Sequence, residues 1–578
     1  MTINKVETVR LDHLGLVAQM ADDIFLSDTI DKLVGDVDSR EIISTGQAVQ
    51  AMCINCLGFT TRALHLTPQF FKTRDIKFLI GKNKGRANVI LKPEHLNEHK
   101  LGRALDSIAE VGADKFFMSI ALTAFRSQNV KVPTLHLDTT THSVYGLYEP
   151  KSDPLQIKKS EEDDNEVKEE VPCEILITHG YSKDHRKDCK QFVQELLVSS
   201  DGDVPLMFKA HSGNKADIAI FEERLKVLKK QFIDTKNEDL IPKFIVGDCK
   251  FYSEETLQNC KKDSINWITR VPDNILESKS CFKESTKNNK WIEHIYDDEK
   301  KIMYQIFNTE KYEIKQRFIV VKTDYSEKRS EKTEQRRFEK EKKSLEALQK
   351  KIEKEKFSCE EDLNVIIHKK FAKLVYFSLK SFAINEIQTH EKKGRPTLDS
   401  KTIKIYTAKD LVFEEKENIK TQRAIENSCF IIGTTDFLSP AEEIIQIYRK
   451  DQQGVERSFR FLKDPSYFAD AFFLKNPKRI EALLCVMTIS LLLYALLQRK
   501  VRLKLKEDKK FVPNQKKKPY QQPTMRWINM NFEGIDVTKI HVGKEIKYYF
   551  HRIDKFIETV LEVLGTQYQN RYSEVWLN

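Results

Sequence analysis

The sequence predicts a mixed α/β (α+β) fold: a strand-and-helix core, split by a long β-plus-helical insertion and preceded by a helical N-terminal domain. Three observations predict it. Two apolar runs end in acids, Leu135-His-Leu-Asp138 and Phe244-Ile-Val-Gly-Asp248, as buried strands do when they deliver a carboxylate to a strand end. Asp201-Gly202 separates Gln191–Ser199 from Val204–Lys209, a strong hairpin signal. Finally, Ser439-Pro-Ala-Glu442 marks the start of a helix that runs toward Pro465 and carries Tyr448 and Glu456.

A chain of 578 residues exceeds what one core holds, so several domains are expected. The boundaries read as 1–125 for the helical N-terminal domain, 126–275 for the first part of the core and 276–425 for the insertion. The second part of the core then takes 426–500, and a basic C-terminal region 501–578. The formal charge of +10 has the sign that suits a polyanion, although it is a small excess over many acids. Among ten cysteines only Cys53 and Cys56 form a CxxC. No second pair completes a zinc site, and the apolar helical setting makes them core thiols in a reducing compartment. The first residues show no charged segment leading into an apolar one, so no signal peptide is read. Ala482–Leu497 is apolar but shorter than the ~18 residues of a spanning helix, which reads as a buried helix and no membrane.

Helices are expected around Leu14–Leu26, Ala48–Leu57, Leu101–Leu105 and Phe116–Phe125. Strands follow: the Asp138 run, Ser143–Tyr148, Glu174–Thr178, the hairpin pair, the Asp248 run and Ile265–Arg270. One helix lies between the hairpin and Asp248, roughly Ala216–Phe232, and a second starts at the cap residue Ser253. The acidic stretch Glu161–Glu170 reads as a solvated loop. Three antiparallel strands, a helix, a parallel strand, a helix and another strand is the order of a ribonuclease-H-like fold. In the insertion, Trp291–Tyr296, Ile302–Phe307 and Phe318–Val321 alternate as strands. The charged run Ser326–Lys356 carries Phe338, Leu345, Leu348 and Ile352 as the stripe of a helical hairpin arm. Lys392–Pro396 reads as a turn, and Cys429–Gly433 as the strand that resumes the core.

Asp138, Asp248 and Glu456 fall where that fold carries its acids, on strand one, at the end of strand four and on a late helix. Three carboxylates on rigid elements suit a pair of hard divalent cations that cut a phosphodiester. Taken singly, a strand-end Asp is more often a turn residue and a helical Glu more often solvated. Glu456, Arg460 and Lys463 are spaced four and three apart, so they share a helix face. The bland reading of that face is a solvated salt-bridge row. The basic run Arg499–Lys518, with Lys504, Lys506, Lys509, Lys510, Lys516, Lys517 and Lys518, is either a solvated face or a set of phosphate contacts.

Taken together, Asp138-Thr-Thr, Gly180-Tyr-Ser-Lys-Asp184-His-Arg-Lys-Asp188, the hairpin with Val204-Pro-Leu, Gly213-Asn-Lys-Ala-Asp217 and Glu456-x6-Lys463 resemble bacterial insertion-sequence DDE transposases. The resemblance is strongest to the insertion-sequence-four superfamily, with its Y-x2-R-x3-E-x6-K signature, and it extends from about Leu101 to Leu497. It implies a ribonuclease-H-like core with a largely β insertion between the second Asp and the Glu. It also implies that Asp138, Asp248 and Glu456 are catalytic and bind two Mg²⁺ ions, with Mn²⁺ as a substitute. Lys463, Arg460, Tyr448 and Arg449 would contact the DNA end. The implied partners are double-stranded DNA, as the terminal inverted repeats of an element and as target, bound by a dimer on paired ends. The N-terminal domain would serve end binding or dimer contacts, in a cytoplasmic, nucleoid-associated protein. Two departures stand out. Tyr448 lies eight residues before Glu456, with Arg449 at the signature's Tyr spacing, and Gln452 replaces its Arg. One extra residue turns Tyr448 by about 100°, which a π-bulge near Gly454 would correct. An inactive or domesticated DNA-binding derivative, or a nuclease without strand transfer, are the alternatives.

Overall fold

A computed structural model describes residues 3–35, 41–58, 64–81, 89–145, 148, 175–228, 230, 241–288, 290–296, 300–390, 402–464, 476–542 and 545–573. Glu161–Glu170 and Lys392–Pro396 lie outside the described residues. The chain forms two compact units, one from Met1–Thr269 with Ile444–Asn578 and the other from Arg270–Glu443.

The first unit opens with a strand, β1 (Ile3–Arg10), ahead of the expected helices. It pairs antiparallel with Asp536–Val542, from the far end of the chain. The helices Leu14–Asp23, Thr45–Cys56, Glu98–Val111 and Ala113–Ser127 follow. Ser44 and Gln47 cap the second of these reciprocally, satisfying two backbone donors that a helix start leaves open. Cys53 and Cys56 are buried thiols, and neither is in a disulfide. Burial pushes the Cys53 thiol up to about 12, so it packs as a small apolar group.

The sheet of this unit runs β4-β3-β2-β5-β6, with β2 Thr134–Val144, β3 Lys190–Ser199, β4 Val204–Ser212, β5 Phe244–Gly247 and β6 Trp267–Val271. The strands β2, β3 and β4 are antiparallel neighbours, whereas β5 lies parallel to β2 and β6 parallel to β5. The helices Asp217–Leu228 and Glu254–Lys262 join β4 to β5 and β5 to β6, the length a parallel crossover needs. Ser253 caps the second by accepting from Thr256 N. At the β3–β4 turn Gly202 has φ +90° and Asp203 φ +59°, a backbone that glycine adopts freely and aspartate tolerates. Two expectations are corrected. Asp138 sits within β2, which runs on to Val144 as one strand. Of the expected strand Glu174–Thr178, the described residues are 175–178, and among them Thr178 alone pairs, through an isolated bridge to Gln191.

The helix Pro477–Glu507 holds this unit together. It starts on an Asn476 cap with proline in its first turn. Its Leu, Ile and Ala side chains are buried nearly throughout, against β4 and the helices Thr45–Cys56 and Glu98–Val111. It is long and apolar enough to cross a membrane, yet 89% of its apolar stretch is buried inside the protein. Each leucine covered in this way contributes about 1.5–3 kcal/mol.

The second unit contains an antiparallel set and a ribbon. The set is β7 Ile292–Tyr296, β8 Lys300–Lys311 and β9 Ile314–Thr323. The ribbon pairs β10 Phe377–His390 with β11 Thr402–Glu415, and β12 Phe430–Thr434 returns beside β9. The helix Asp324–Ile352 begins on a reciprocal Thr323–Ser326 cap. Its stripe of Phe338, Leu345, Leu348 and Ile352 packs with the ribbon and with the helix Glu360–Phe371. The charged run is a helix followed by a second one, as expected of a helical arm, and the β-ribbon joins them in covering the stripe. Glu334 on the same helix is buried and accepts from Tyr376 Oη, Arg423 and Asn427, which offsets the cost of taking its charge out of water.

Candidate active site

Leu137 on β2 lies opposite Gly247 on β5, in parallel register. Asp138 is the next residue of β2, and Asp248 is the first residue past the end of β5. Parallel neighbours at the same level face the same side of a sheet, so one register delivers both carboxylates. Gly247 is required there, because a Cβ would lie 2.6 Å from Phe251 Cβ. The carbonyl of Asp248 accepts from Thr269 Oγ1 at 2.6 Å, and its Oδ1 from Lys250 N at 2.9 Å.

Burial pushes the Asp138 carboxyl up to about 7; Lys183 opposes the rise while Asp248 and Asp217 add to it. Asp248 is also raised, by burial first, against the hydrogen bond from Lys250 N. Asp217 adds to the rise of both, and neighbouring acids raised in a partly dry site mark excess negative charge, which a cation relieves.

Two lysines and a further acid answer that charge in the protein alone. Lys183 Nζ is 3.9 Å from Asp138 and 3.6 Å from Asp217 Oδ2, and it donates to Thr139 O at 2.6 Å. Asp217, at the start of its helix, accepts from Thr139 Oγ1 at 2.6 Å and from Lys250 Nζ. Burial opposes ionisation of Asp217, but Lys183 and the Lys250 hydrogen bond outweigh it and hold its pKa below the ordinary carboxylate value. Asp138, Lys183, Asp217 and Lys250 thus alternate in sign beside Asp248. Lys183 and Asp217 stood in the sequence motifs without an assigned role, and Lys250, two residues past Asp248, was missed. Its position beside a strand-end acid was the available signal.

The helix Ala441–Lys463 is α-helical throughout, with no π turn at Gly454. On such a helix Tyr448 lies about 80° around from Glu456, and Arg449 about 20°. Tyr448 is 4% exposed and packs inward, so Arg449 shares the face of Glu456. Glu456 and Arg460 are exposed, and neither takes an ion pair among the described residues. No salt-bridge row forms. Lys463 instead donates to Asp184 at 2.8 and 2.9 Å. Lys183 and Asp184 are consecutive, so one loop touches Asp138 with one side chain and anchors the Glu456 helix with the next.

Asp138 and Asp248 are brought together, whereas Glu456 is not among the groups that act on either carboxyl. Among the described residues no set of three His, Cys, Asp or Glu is gathered closely enough to hold a metal. The donor chemistry of the two aspartates nevertheless fits a hard cation. Lys183 stands beside Asp138 where positive charge is called for.

A buried cluster steadies this arrangement. Glu195 on β3 accepts from Arg224 Nη2 at 3.0 Å and is paired with His211 Nε2 at 2.8 Å, and all three are buried. Arg224 belongs to the helix that begins with Asp217, so this ion pair fixes that helix to the sheet.

Two family matches cover most of the chain. Residues 6–122 match a domain of unknown function (DUF4277), and residues 174–493 match the transposase DDE domain. The second span contains Asp248 and Glu456 and begins after Asp138. No curated protein matches the chain. A cryo-EM structure of piggyBac transposase in a synaptic complex with hairpin DNA is similar at 9% identity and a TM-score of 0.36, over 92% of this chain and 82% of that one. With more than half of its residues inside the DDE match, the chain belongs to the transposase DDE domain family.

Proposed function

We propose that this protein is a cut-and-paste transposase of the insertion-sequence-four type, which cleaves the DNA ends of its own element and joins them to a target. The carrying observation is the shared rung Leu137–Gly247, which sets Asp138 beside Asp248. The strand order β4-β3-β2-β5-β6, with β5 and β6 parallel to β2, supports a ribonuclease-H-like core. Asp138, Asp248 and Glu456 are the acids that would hold two Mg²⁺ or Mn²⁺ ions. When bound, such ions supply activation of the attacking oxygen and stabilisation of the leaving one.

The chain's own residues set the geometry. Asp217 shares Lys183 and Lys250 with the two aspartates, and the Lys463–Asp184 pair ties the Glu456 helix to the Lys183 loop. Arg449, Arg460 and Lys463 lie within about 40° of Glu456 around the helix, so they offer cations to phosphates near the cut. The substrate is double-stranded DNA, as inverted repeats and target, held by a dimer on paired ends.

The test uses linear DNA that carries the nucleotides flanking the gene, incubated with protein and Mg²⁺ or Mn²⁺. Nicks at the element ends and joined products are expected, and Asp138→Asn and Glu456→Gln abolish both while retaining DNA binding. Nicks without joined products identify a nuclease. The inward-packed Tyr448 favours the second reading, a derivative that binds ends without cutting, and binding with no nicks establishes it.

A further inference from the structure

A cavity of about 230 Å³ opens in the first unit beside the Glu456 helix. Arg457 and Arg460 line it from that helix, Arg502 from the long buried helix, and Arg526 from the helix Met525–Phe532. Asp203 and Asp464 are its acids. Arg457 donates to Asp203 at 2.7 Å, and Arg526 lies 4.0 Å from Asp464. Arg460 and Arg502 have no carboxylate partner among the described residues. Four guanidinium groups against two carboxylates leave a surplus of two positive charges.

Arg502 is the informative member. Its Nε donates to the Pro523 carbonyl at 2.9 Å, while the group stays partly buried without an ion pair. Burial pulls its pKa below the ordinary arginine value. Asp203 opposes the drop but is already paired with Arg457, and a part-buried guanidinium that shares its counter-charge is costly, a cost that an arriving anion recovers. Planar guanidinium forks match phosphate oxygens in pairs. The helix Met525–Phe532 also starts here, with its first N–H groups held by Gln498 Oε1 and Tyr494 Oη, so its positive end adds to the field. The rim is open, since the side chains of Arg457 and Arg526 are 51% and 69% exposed. An anion seated on Arg502 therefore has room to continue outward as part of a chain.

We propose that this cavity binds a backbone phosphodiester of duplex DNA, gripping the duplex away from the acids. Around the helix, Arg457 is about 100° from Glu456, while Arg460 is about 40° from it and borders both faces, so this grip adjoins the face that carries Lys463 and extends it. The inference rests on the DNA reading above and adds a second, sequence-independent anchor.

The full chain is titrated with a duplex of arbitrary sequence at several salt concentrations. Wild type is compared with Arg502→Gln, Arg502→Gln/Arg526→Gln and the charge control Lys328→Gln, on the exposed face of the other unit. Each lost contact lowers the slope of log K against log salt by about 0.9. The double variant is expected to lose about 1.8 and the control nothing. Arg502→Lys, which retains the charge and guards against a folding defect, is expected to keep the slope and bind more weakly. An unchanged slope in the double variant overturns the proposal. So does inorganic phosphate that raises the wild-type melting temperature only, with DNA affinity equal in all variants. A wild type that binds no duplex ends both readings, whereas pocket-dependent binding without end cleavage keeps the pocket and removes the transposase.

Discussion

Asp138 and Asp248 each stand one residue beyond the same parallel rung, so their separation is set by backbone pairing and not by side-chain packing. The glycine of that rung is the weak point. Gly247→Ala places a methyl against Phe251, which is fully buried. The expected loss is about 1–3 kcal/mol, read by urea unfolding. A neutral result would show that Phe251 yields freely.

Asp138 gives a pH dependence with a definite sign. Its carboxyl is raised from 3.8 to about 7 in the folded protein, so the folded state binds a proton that the unfolded state has lost. Stability falls as pH rises between those values, and the penalty is complete above pH 7. Asp138→Asn is expected to stabilise the metal-free protein by roughly 2–4 kcal/mol at pH 8 and by nothing near pH 3.5. Unfolding in EDTA at the two pH values checks this. Equal gains at both would place the effect elsewhere. Mn²⁺ is expected to raise the melting temperature of wild type at pH 8 but not of the variant.

Glu195 is an acid whose role is structural. Glu195→Ala leaves Arg224 buried without its counter-charge, at an expected cost of about 3–5 kcal/mol. Glu195→Gln retains an acceptor and loses less. A variant as stable as wild type would mean that water replaces the carboxylate.

The Lys463–Asp184 pair is part-exposed, so Asp184→Ala is expected to change stability by less than about 1 kcal/mol. Lys463→Ala, in contrast, is expected to reduce the salt slope of end binding by about 0.9. If Asp184→Ala unfolds the protein while Lys463→Ala leaves the slope intact, the pair is structural only.

Local signals carried much of the fold. The apolar runs before Asp138 and Asp248, the Asp201-Gly202 turn and the Ser253 cap each act within a few residues, and each lies close to where it was read. Long-range partners were illegible. The alternation in β1 means little until its partner Asp536–Val542 is present, and the strands β10 and β11 make a ribbon only through each other, whereas the charged helix beside them was read as a helix. Lys463 reaches Asp184 across 279 positions, a separation at which spacing says nothing. The same holds for Asp217, whose role depends on Lys183 and Lys250 arriving from two other loops.

The first unit is written in two pieces, and this has a consequence for biosynthesis. A ribosome that has made both aspartates must add the about 170 residues of Arg270–Glu443 before Glu456, which takes on the order of 10–30 s at about 5–20 residues per second. Until Pro477–Glu507 emerges, the apolar faces of β4 and the N-terminal helices have no cover. Nascent chains therefore expose apolar surface for that interval, during which aggregation competes with folding. A message cut by a frameshift in the middle of the gene yields a polypeptide that holds two acids, lacks the third and cannot close its core.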